Sequence, residues 1–352
     1  MDYKTTEMWK EIFETPEVIE SLHQTNQDIM KELVNSIKSS NATNFVAVAR
    51  GSSDHALVYF KYLLEIYSKY TVGLSAPSVI TLYRGKINYS NSIVIGCSQS
   101  GMAEDVLQVI KKGNEDGAIT IAITNNENSP VAKEAKFHLF CNAGEQKAVG
   151  ATKTFSAQLY LLLWLASELS GRRQNIKILK SLHEEMESLL SQIDDLTTKY
   201  TERFKDMDKA FILSRGTTYP IALETAIKLQ ESCYVNAKGF PTSEFYHGPL
   251  AMVNKDTPII IYCAKYDGDE ELQALVRADQ IKCIEKLLLM RAPVLLVTND
   301  SILTGKFSVC NDALIHFNMP EEITMFAFSI FAQMFSCKLA CLLGNNPDTS
   351  RA

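Results

Sequence analysis

The sequence predicts an α/β chain built from two tandem lobes, each a parallel sheet flanked by helices in three layers. Three observations lead there. Short apolar, β-branched runs with the look of buried strands alternate with segments of helical period. The second half repeats the first: Phe211 to Thr218 matches Val46 to Ser53, and Gly216 follows Gly51 by 165 residues. A chain of 352 residues with 46% hydrophobic content is long enough for two cores.

In order, Met8 to Ser40 has a helical pattern with Pro16 near a helix start. Phe45 to Ala49 is a strand ending in Arg50-Gly51-Ser52-Ser53-Asp54, and Ala56 to Tyr67 is a helix. A polar turn follows, then Val79 to Tyr83 as a further short apolar run. Ile93 to Ile95 lies in a strand, Val106 to Ile110 begins a helix, and Ile119 to Thr124 and Phe137 to Cys141 are strands. Gly150 to Leu169 is a helix, and the charged stretch Gly171 to Lys209 is expected to be a mostly solvated helical connector. In the second half, Pro258 to Cys263 takes the place of Ile93 to Cys97, and Val294 to Asn299 ends in Thr-Asn as Ile119 to Asn125 does. The expected division is a helical segment at 1–40, a first lobe at 41–170, a connector at 171–209 and a second lobe at 210–352.

A net charge of −6 with interspersed acids argues against nucleic acid as partner. Eight cysteines are scattered through apolar runs without CxxC spacing. They predict reduced core thiols in a cytoplasmic protein and neither a metal site nor a redox motif. Met1 to Glu14 is charged, so no signal peptide is expected. Ile323 to Leu343 has the length of a membrane span. Gln333 and Lys338 interrupt it and Gly344-Asn345 closes it, so a buried helix is expected, with no membrane contact.

The chemistry is expected where the strand Ile93–Ile95 runs into Ser98-Gln99-Ser100-Gly101 ahead of a helix. Such a loop can hold a phosphate: the helix start supplies backbone N–H groups and partial positive charge, and the serines and Gln99 add donors. Alone, it also has the plainer meaning of a capped strand-to-helix turn. The second-lobe counterpart is Ala264-Lys265-Tyr266-Asp267, so the loop exists once. The second lobe offers Glu224, Lys228 and Glu231, at i, i+4 and i+7 on one helix face, ahead of a loop, Phe240 to Leu250, around His247. An ordinary solvated ion pair is the commoner meaning of that spacing. His23, His138, His183 and His316 sit in helical or strand patterns and read as structural or surface groups, and His55 as a helix-start residue.

Ser98 to Gly101, Ala151-Thr152-Lys153-Thr154-Phe155, Glu224 with Lys228 and Glu231, and Glu244 through His247-Gly248-Pro249-Leu250 together resemble the sugar isomerase (SIS) domain family. The likeness is to the isomerase half of glucosamine-6-phosphate synthase and to the related aminosugar-phosphate deaminases and fructosamine-phosphate deglycases. It covers essentially the whole chain, and the spacing of Glu231 and His247 also matches. The resemblance implies that Ser98, Gln99 and Ser100, with Gly51, Ser52 and Ser53, bind the phosphate and sugar. It implies that Val149 and Ala151 line the sugar pocket and that Glu231 moves a proton between C1 and C2 beside Lys228. It also implies that His247, lent by a partner subunit, assists ring opening, so that a homodimer is expected. No cofactor is implied.

Three departures stand out. Met102-Ala103 replaces the family's Glu-Thr, and Ala151 stands where the synthase has serine. No glutaminase segment with a cysteine nucleophile is expected ahead of the isomerase half. The last lysine is Lys338, inside the long apolar helix, where the synthase has a ring-opening lysine in its tail. The expected activity is aldose–ketose isomerisation of an amino sugar phosphate, in the hydrolytic, deaminating direction, with Glu231 as a partly desolvated base. Deglycation of a fructosamine-6-phosphate is the alternative, and a non-catalytic sugar-phosphate sensor the alternative of another class, though no basic DNA-binding arm is seen. A dehydrogenase would need a GxGxxG after a strand, and none is present.

Overall fold

A computed structural model describes residues 1–266, 268–310 and 313–351. The chain separates into two compact units. One comprises Glu14–Gln146 and Ala151–Glu184; the other comprises Met1–Phe13, Lys147–Gly150 and Glu185–Ala352.

In the first of these units, β1 (Asn44–Val48), β2 (Thr71–Leu74), β3 (Ser92–Ser98), β4 (Ile119–Thr124) and β5 (Phe137–Phe140) form an all-parallel sheet. Its order is β2-β1-β3-β4-β5. Every residue of β3 is buried, which is why it reads as a continuous apolar run and not as an alternation. The helix Lys153–Ser170 is buried on nearly all sides and packs against the helices Thr15–Ser39 and Ser52–Tyr67. Pro16 lies in the first turn of Thr15–Ser39, where its missing N–H costs no helical hydrogen bond.

In the other unit, β6 (Lys209–Ser214), β7 (Asn236–Pro241), β8 (Ile259–Cys263), β9 (Val294–Thr298) and β10 (Leu314–His316) form a second parallel sheet, β10-β9-β8-β6-β7. Relabelled from its own first strand, this is the same topology as the first sheet, so the two lobes are α/β units of one design. Its equivalent central helix is Thr324–Leu342. The stretch Glu321–Leu342 is long and apolar enough to cross a membrane, and 94% of its apolar window is buried inside the protein. It packs on the helix Tyr219–Lys228 and on the amino-terminal helix Glu7–Phe13, with Phe328 5.2 Å from Tyr262. Gly239 of β7 lets that strand lie against the backbone of Tyr219–Lys228: a Cβ there would sit 2.7 Å from the Ala222 carbonyl oxygen.

Four expectations need correction. Val79 to Tyr83 is no extended run: Ser78–Thr81 is a helical turn behind Pro77. The preceding polar turn holds the edge strand β2. Part of the loop Phe240 to Leu250 is strand as well, because β7 runs to Pro241. The connector is not mostly solvated: its helix Leu182–Thr201 buries Met186, Leu190, Ile193 and Tyr200 at helical spacing, with the Tyr200 hydroxyl donating to the Leu314 carbonyl at 2.9 Å. Its many charges hid that stripe. Seven of the eight cysteines are buried and free, and burial pushes the Cys141 and Cys233 thiols up to about 12. Those two thiols are protonated and inert at neutral pH.

Candidate active site

The strand order of the first sheet reverses between β1 and β3, and at such a point the carboxyl ends of the strands leave a crevice. β1 and β3 run side by side, Val48 opposite Gly96, so the turn Gly51-Ser52-Ser53 and the loop Ser98–Gly101 emerge next to each other. Gly101 has φ +66°, and a Cβ there would lie 2.0 Å from Ser129 Oγ, so only glycine fits. The Ser98 hydroxyl accepts from Gly101 N–H and the Ser100 hydroxyl from Met102 N–H, both at 3.2 Å. Each serine oxygen thereby accepts one bond and keeps its proton for another partner. Ser98 is buried, Gln99 half-buried and Ser100 exposed.

The following helix, Glu104–Glu115, contributes less than expected. Its N-cap is Ala103, which has no capping side chain, and its first turn carries Glu104 and Asp105. Asp105 in turn takes Arg50 at 2.6 Å. The positive end of this helix already faces its own carboxylates, so donors for an anion come from the loop hydroxyls and amides. Met102, in place of the family's glutamate, is 62% exposed.

In the other unit, Pro220 starts the helix Tyr219–Lys228. The chain then widens into a π-helical turn, Leu229–Cys233, and leaves through Tyr234 in the left-handed region, φ +57°. Glu224, Lys228 and Glu231 share one face, as their spacing predicts; what the spacing does not show is that Glu231 sits in a π turn. Such turns recur at functional sites. Lys228 is fully buried, its Nζ 3.0 Å from Glu224 Oε1 and 3.1 Å from Glu231 Oε2. Burial works against the ammonium, but attraction to Glu224 and Glu231 outweighs it, and the Lys228 pKa is raised. The two carboxylates differ in one respect that matters: Glu224 has no exposure, whereas the Glu231 side chain is 32% exposed. Glu224 balances the buried charge, and Glu231 is the one a ligand can reach.

Lys147–Gly150, although it comes from the first half of the sequence, packs in this unit. A Cβ on Gly150 would lie 3.1 Å from Lys228 Cδ. The segment is held by the Glu11 carboxylate, itself buried, which accepts from Lys147 N–H and, at 3.0 Å, from Ala148 N–H. Val149 is exposed beside it; Ala151 belongs to the other unit. Sequence reasoning passed over Glu11, whose only signal is an acid among Met8, Trp9 and Ile12 on the apolar face of its helix. His247 lies on an exposed turn behind the buried anchor Phe245. Lys338 is spoken for: buried in the long helix, it donates to the Asp194 carboxylate, to the Asp194 carbonyl and to Thr198. His138 and His316 bond Thr124 and Thr304, each at 2.8 Å, and His23 stacks on Trp164. In the second-lobe counterpart of the serine loop, Lys265 is exposed; Asp267 lies outside the described residues.

The SIS domain matches this chain twice, over residues 39–168 and 203–343. The chain belongs to the SIS domain family. Among its SIS relatives are two enzymes named glutamine–fructose-6-phosphate aminotransferase (isomerizing). That of Sulfurisphaera tokodaii is 30% identical over 349 residues, 98% of this chain and 55% of that protein. That of Aquifex aeolicus is 29% identical, covering 98% of this chain and 56% of that protein. The chain spans about half the length of these curated relatives. Among solved SIS structures, the C-terminal domain of glucosamine-fructose-6-phosphate aminotransferase from Francisella tularensis superposes with TM-score 0.80 at 25% identity, covering 97% of each chain. Tagatose-6-phosphate ketose/aldose isomerase from Escherichia coli has TM-score 0.81 at 16% identity, covering 98% of this chain and 95% of the other, a likeness of fold alone.

Proposed function

We propose that this SIS protein is a phosphosugar isomerase acting on an amino sugar phosphate, with glucosamine-6-phosphate deamination as its reaction. The observation that carries this reading is the Glu224–Lys228–Glu231 cluster. A buried ammonium, neutralised on one side by a buried carboxylate, stands beside a second carboxylate open to ligand. Interconverting an aldose and a ketose needs a base that removes the proton alpha to a carbonyl and returns it one carbon over, with a positive group for the enediolate oxygen. Glu231 takes the C2 proton of the open-chain amino aldose, and Lys228 steadies the negative charge. Returning the proton to C1 leaves a C2 imine, and water cleaves it to a ketose phosphate and ammonia. The phosphate is assigned to Ser98, Gln99 and Ser100 with Gly51, Ser52 and Ser53, and the sugar to Val149 and Ala151. The names of the curated relatives support fructose-6-phosphate as the ketose of this reaction.

His247 is assigned to ring opening in a homodimer, each subunit lending it to the other; its exposed turn supports this. Mixed dimers of Glu231→Gln and His247→Ala subunits should then recover part of the activity that each variant alone lacks. We place the protein in the cytoplasm, in keeping with its buried free thiols. The decisive experiment offers glucosamine-6-phosphate, fructose-6-phosphate with ammonia, and fructosamine-6-phosphates, and follows ammonia, amino acid and ketose. Ammonia and fructose-6-phosphate from the first supports the proposal. Amino acid release from the last alone would make it a deglycase, and binding without turnover a sensor.

A further inference from the structure

Gln158 lies on the helix Lys153–Ser170 and is 1% exposed. Its Nε2 donates to the Ser53 hydroxyl oxygen at 3.0 Å, across 105 residues of sequence. Its Oε1, also buried, has no hydrogen-bond partner among the described residues. A buried amide with an acceptor left unpaired is costly, and a leucine of similar size would avoid that cost on a helix whose buried residues include Phe155, Leu159 and Leu162. The amide therefore does little for stability and makes one bond that matters.

That bond has a direction. An amide N–H occupies a lone pair of Ser53 Oγ, so the hydroxyl proton must point elsewhere. Ser53, 8% exposed, stands in the first turn of the helix that leaves β1, and β1 pairs with β3, the strand that runs into Ser98–Gly101. We infer that Gln158 is a positioning residue for the ligand crevice: it fixes Ser53 as an outward donor and so selects an oxygen-rich, anionic ligand. The inference rests on the sugar-phosphate reading.

The test compares Gln158→Leu and Gln158→Glu with the wild type, using fructose-6-phosphate and inorganic phosphate as binding probes and glucosamine-6-phosphate turnover. Leucine frees the hydroxyl to rotate. Glutamate, unable to donate when ionised, pulls the Ser53 proton inward and adds negative charge. The expected result is a KM about 3- to 10-fold higher for Gln158→Leu, with kcat within about twofold and a Tm equal to or above wild type, from the loss of one oriented hydrogen bond. For Gln158→Glu the KM should rise further and recover as the pH is lowered and the new carboxyl is protonated. A structural role alone would lower Tm and leave KM untouched, which overturns the inference. So would a Gln158→Glu protein whose KM stays at the wild-type value however far the pH is raised, since a carboxylate, which can only accept, would then serve as well as the amide. If Gln158→Glu fails to fold, the KM and Tm of Gln158→Leu decide alone. A wild-type protein that binds neither probe overturns the sugar-phosphate reading and this inference together; wild-type binding with unaltered variants overturns this inference only.

Discussion

Replacing Lys228 by methionine keeps the length of the side chain and removes its charge. In the wild type the ammonium has no exposure and touches Glu224 at 3.0 Å and Glu231 at 3.1 Å. Without it, the Glu224 carboxylate stays buried and loses its cation. Breaking one side of a buried pair costs about 3–5 kcal/mol, and with a urea dependence of about 2–3 kcal/mol/M the midpoint should fall by about 1–2.5 M. Trp9 belongs to the unit that holds Lys228 and Trp164 to the other, so Trp9 fluorescence in a Trp164→Phe background reports the right transition. Adding Glu224→Leu removes the stranded carboxylate and should restore most of the stability, because an apolar pair in place of a buried ion pair is about neutral. Activity should not return, since Glu231 still lacks its ammonium. The pH dependence has a fixed sign. The folded-state pKa of Lys228 is raised, so its stabilising contribution is complete below the ordinary value of 10.5 and is lost as pH climbs through the higher folded value. The gap between wild type and Lys228→Met should be full near neutrality and close only in alkali above 10.5. A single variant as stable as wild type at about pH 8, or a double variant no better than the single, would refute the reasoning.

Glu231→Gln should lower kcat on glucosamine-6-phosphate by about 10²–10⁴-fold, the usual worth of a placed base, while phosphate affinity stays put; unchanged turnover removes Glu231 from the chemistry. Ser98→Ala with Ser100→Ala should raise KM for phosphorylated sugars at least about tenfold, since a hydrogen bond to a charged group is worth about 1.5–3 kcal/mol. An unaltered KM would clear that loop of phosphate binding. Gly239→Ala sets a methyl 2.7 Å from the Ala222 carbonyl oxygen, so denaturation should show a loss of about 1–3 kcal/mol and activity should fall as the Lys228 helix is pushed aside. Full stability would mean that β7 can yield.

What the sequence disclosed about the fold follows burial. The central strands β3, β4, β8 and β9 are apolar runs buried on both faces, and they were legible as such. Of the edge strands, β5 was also legible, as Phe137 to Cys141, whereas β2, β7 and β10 were not. Three of the four residues of β2 are exposed, β7 carries Lys238, Gly239 and Pro241, and β10 has three residues. An edge strand needs only half a hydrogen-bond ladder and half an apolar face, so its composition is that of a loop. Ser78–Thr81 shows the converse: a short β-branched run has no period to separate strand from helix, and Pro77 decided for a helical turn. At the site, residue types and spacing disclosed the serine loop and the Glu–Lys–Glu cluster. The π turn, the Glu11 clamp and the Gln158 contact depend on tertiary neighbours and left almost no local trace.

The duplication explains why one lobe kept an open hydroxyl and the other did not. Arg50 pairs with Asp105 and Arg215 with Asp279, both at 2.6 Å, so the turn after the first strand is braced alike in both lobes. Beyond that brace they part. Thr218 stands where the first lobe has Ser53, and its hydroxyl is consumed within its own turn, 2.8 Å from Ser214 Oγ and donating to the Arg215 carbonyl at 3.2 Å. Ser214 stands where the first lobe has Ala49, which has no hydroxyl to offer. With alanine there, Ser53 is not satisfied by its neighbours, and the bond it does make comes from Gln158 as donor. The turn that closes on itself also lost the serine loop beside it, where Ala264, Lys265 and Tyr266 now stand. The turn that stayed open kept Ser98–Gly101. Two differences at adjacent strand ends thus separate the lobes: one crevice presents serine hydroxyls, and in the other lobe the corresponding hydroxyls bond each other.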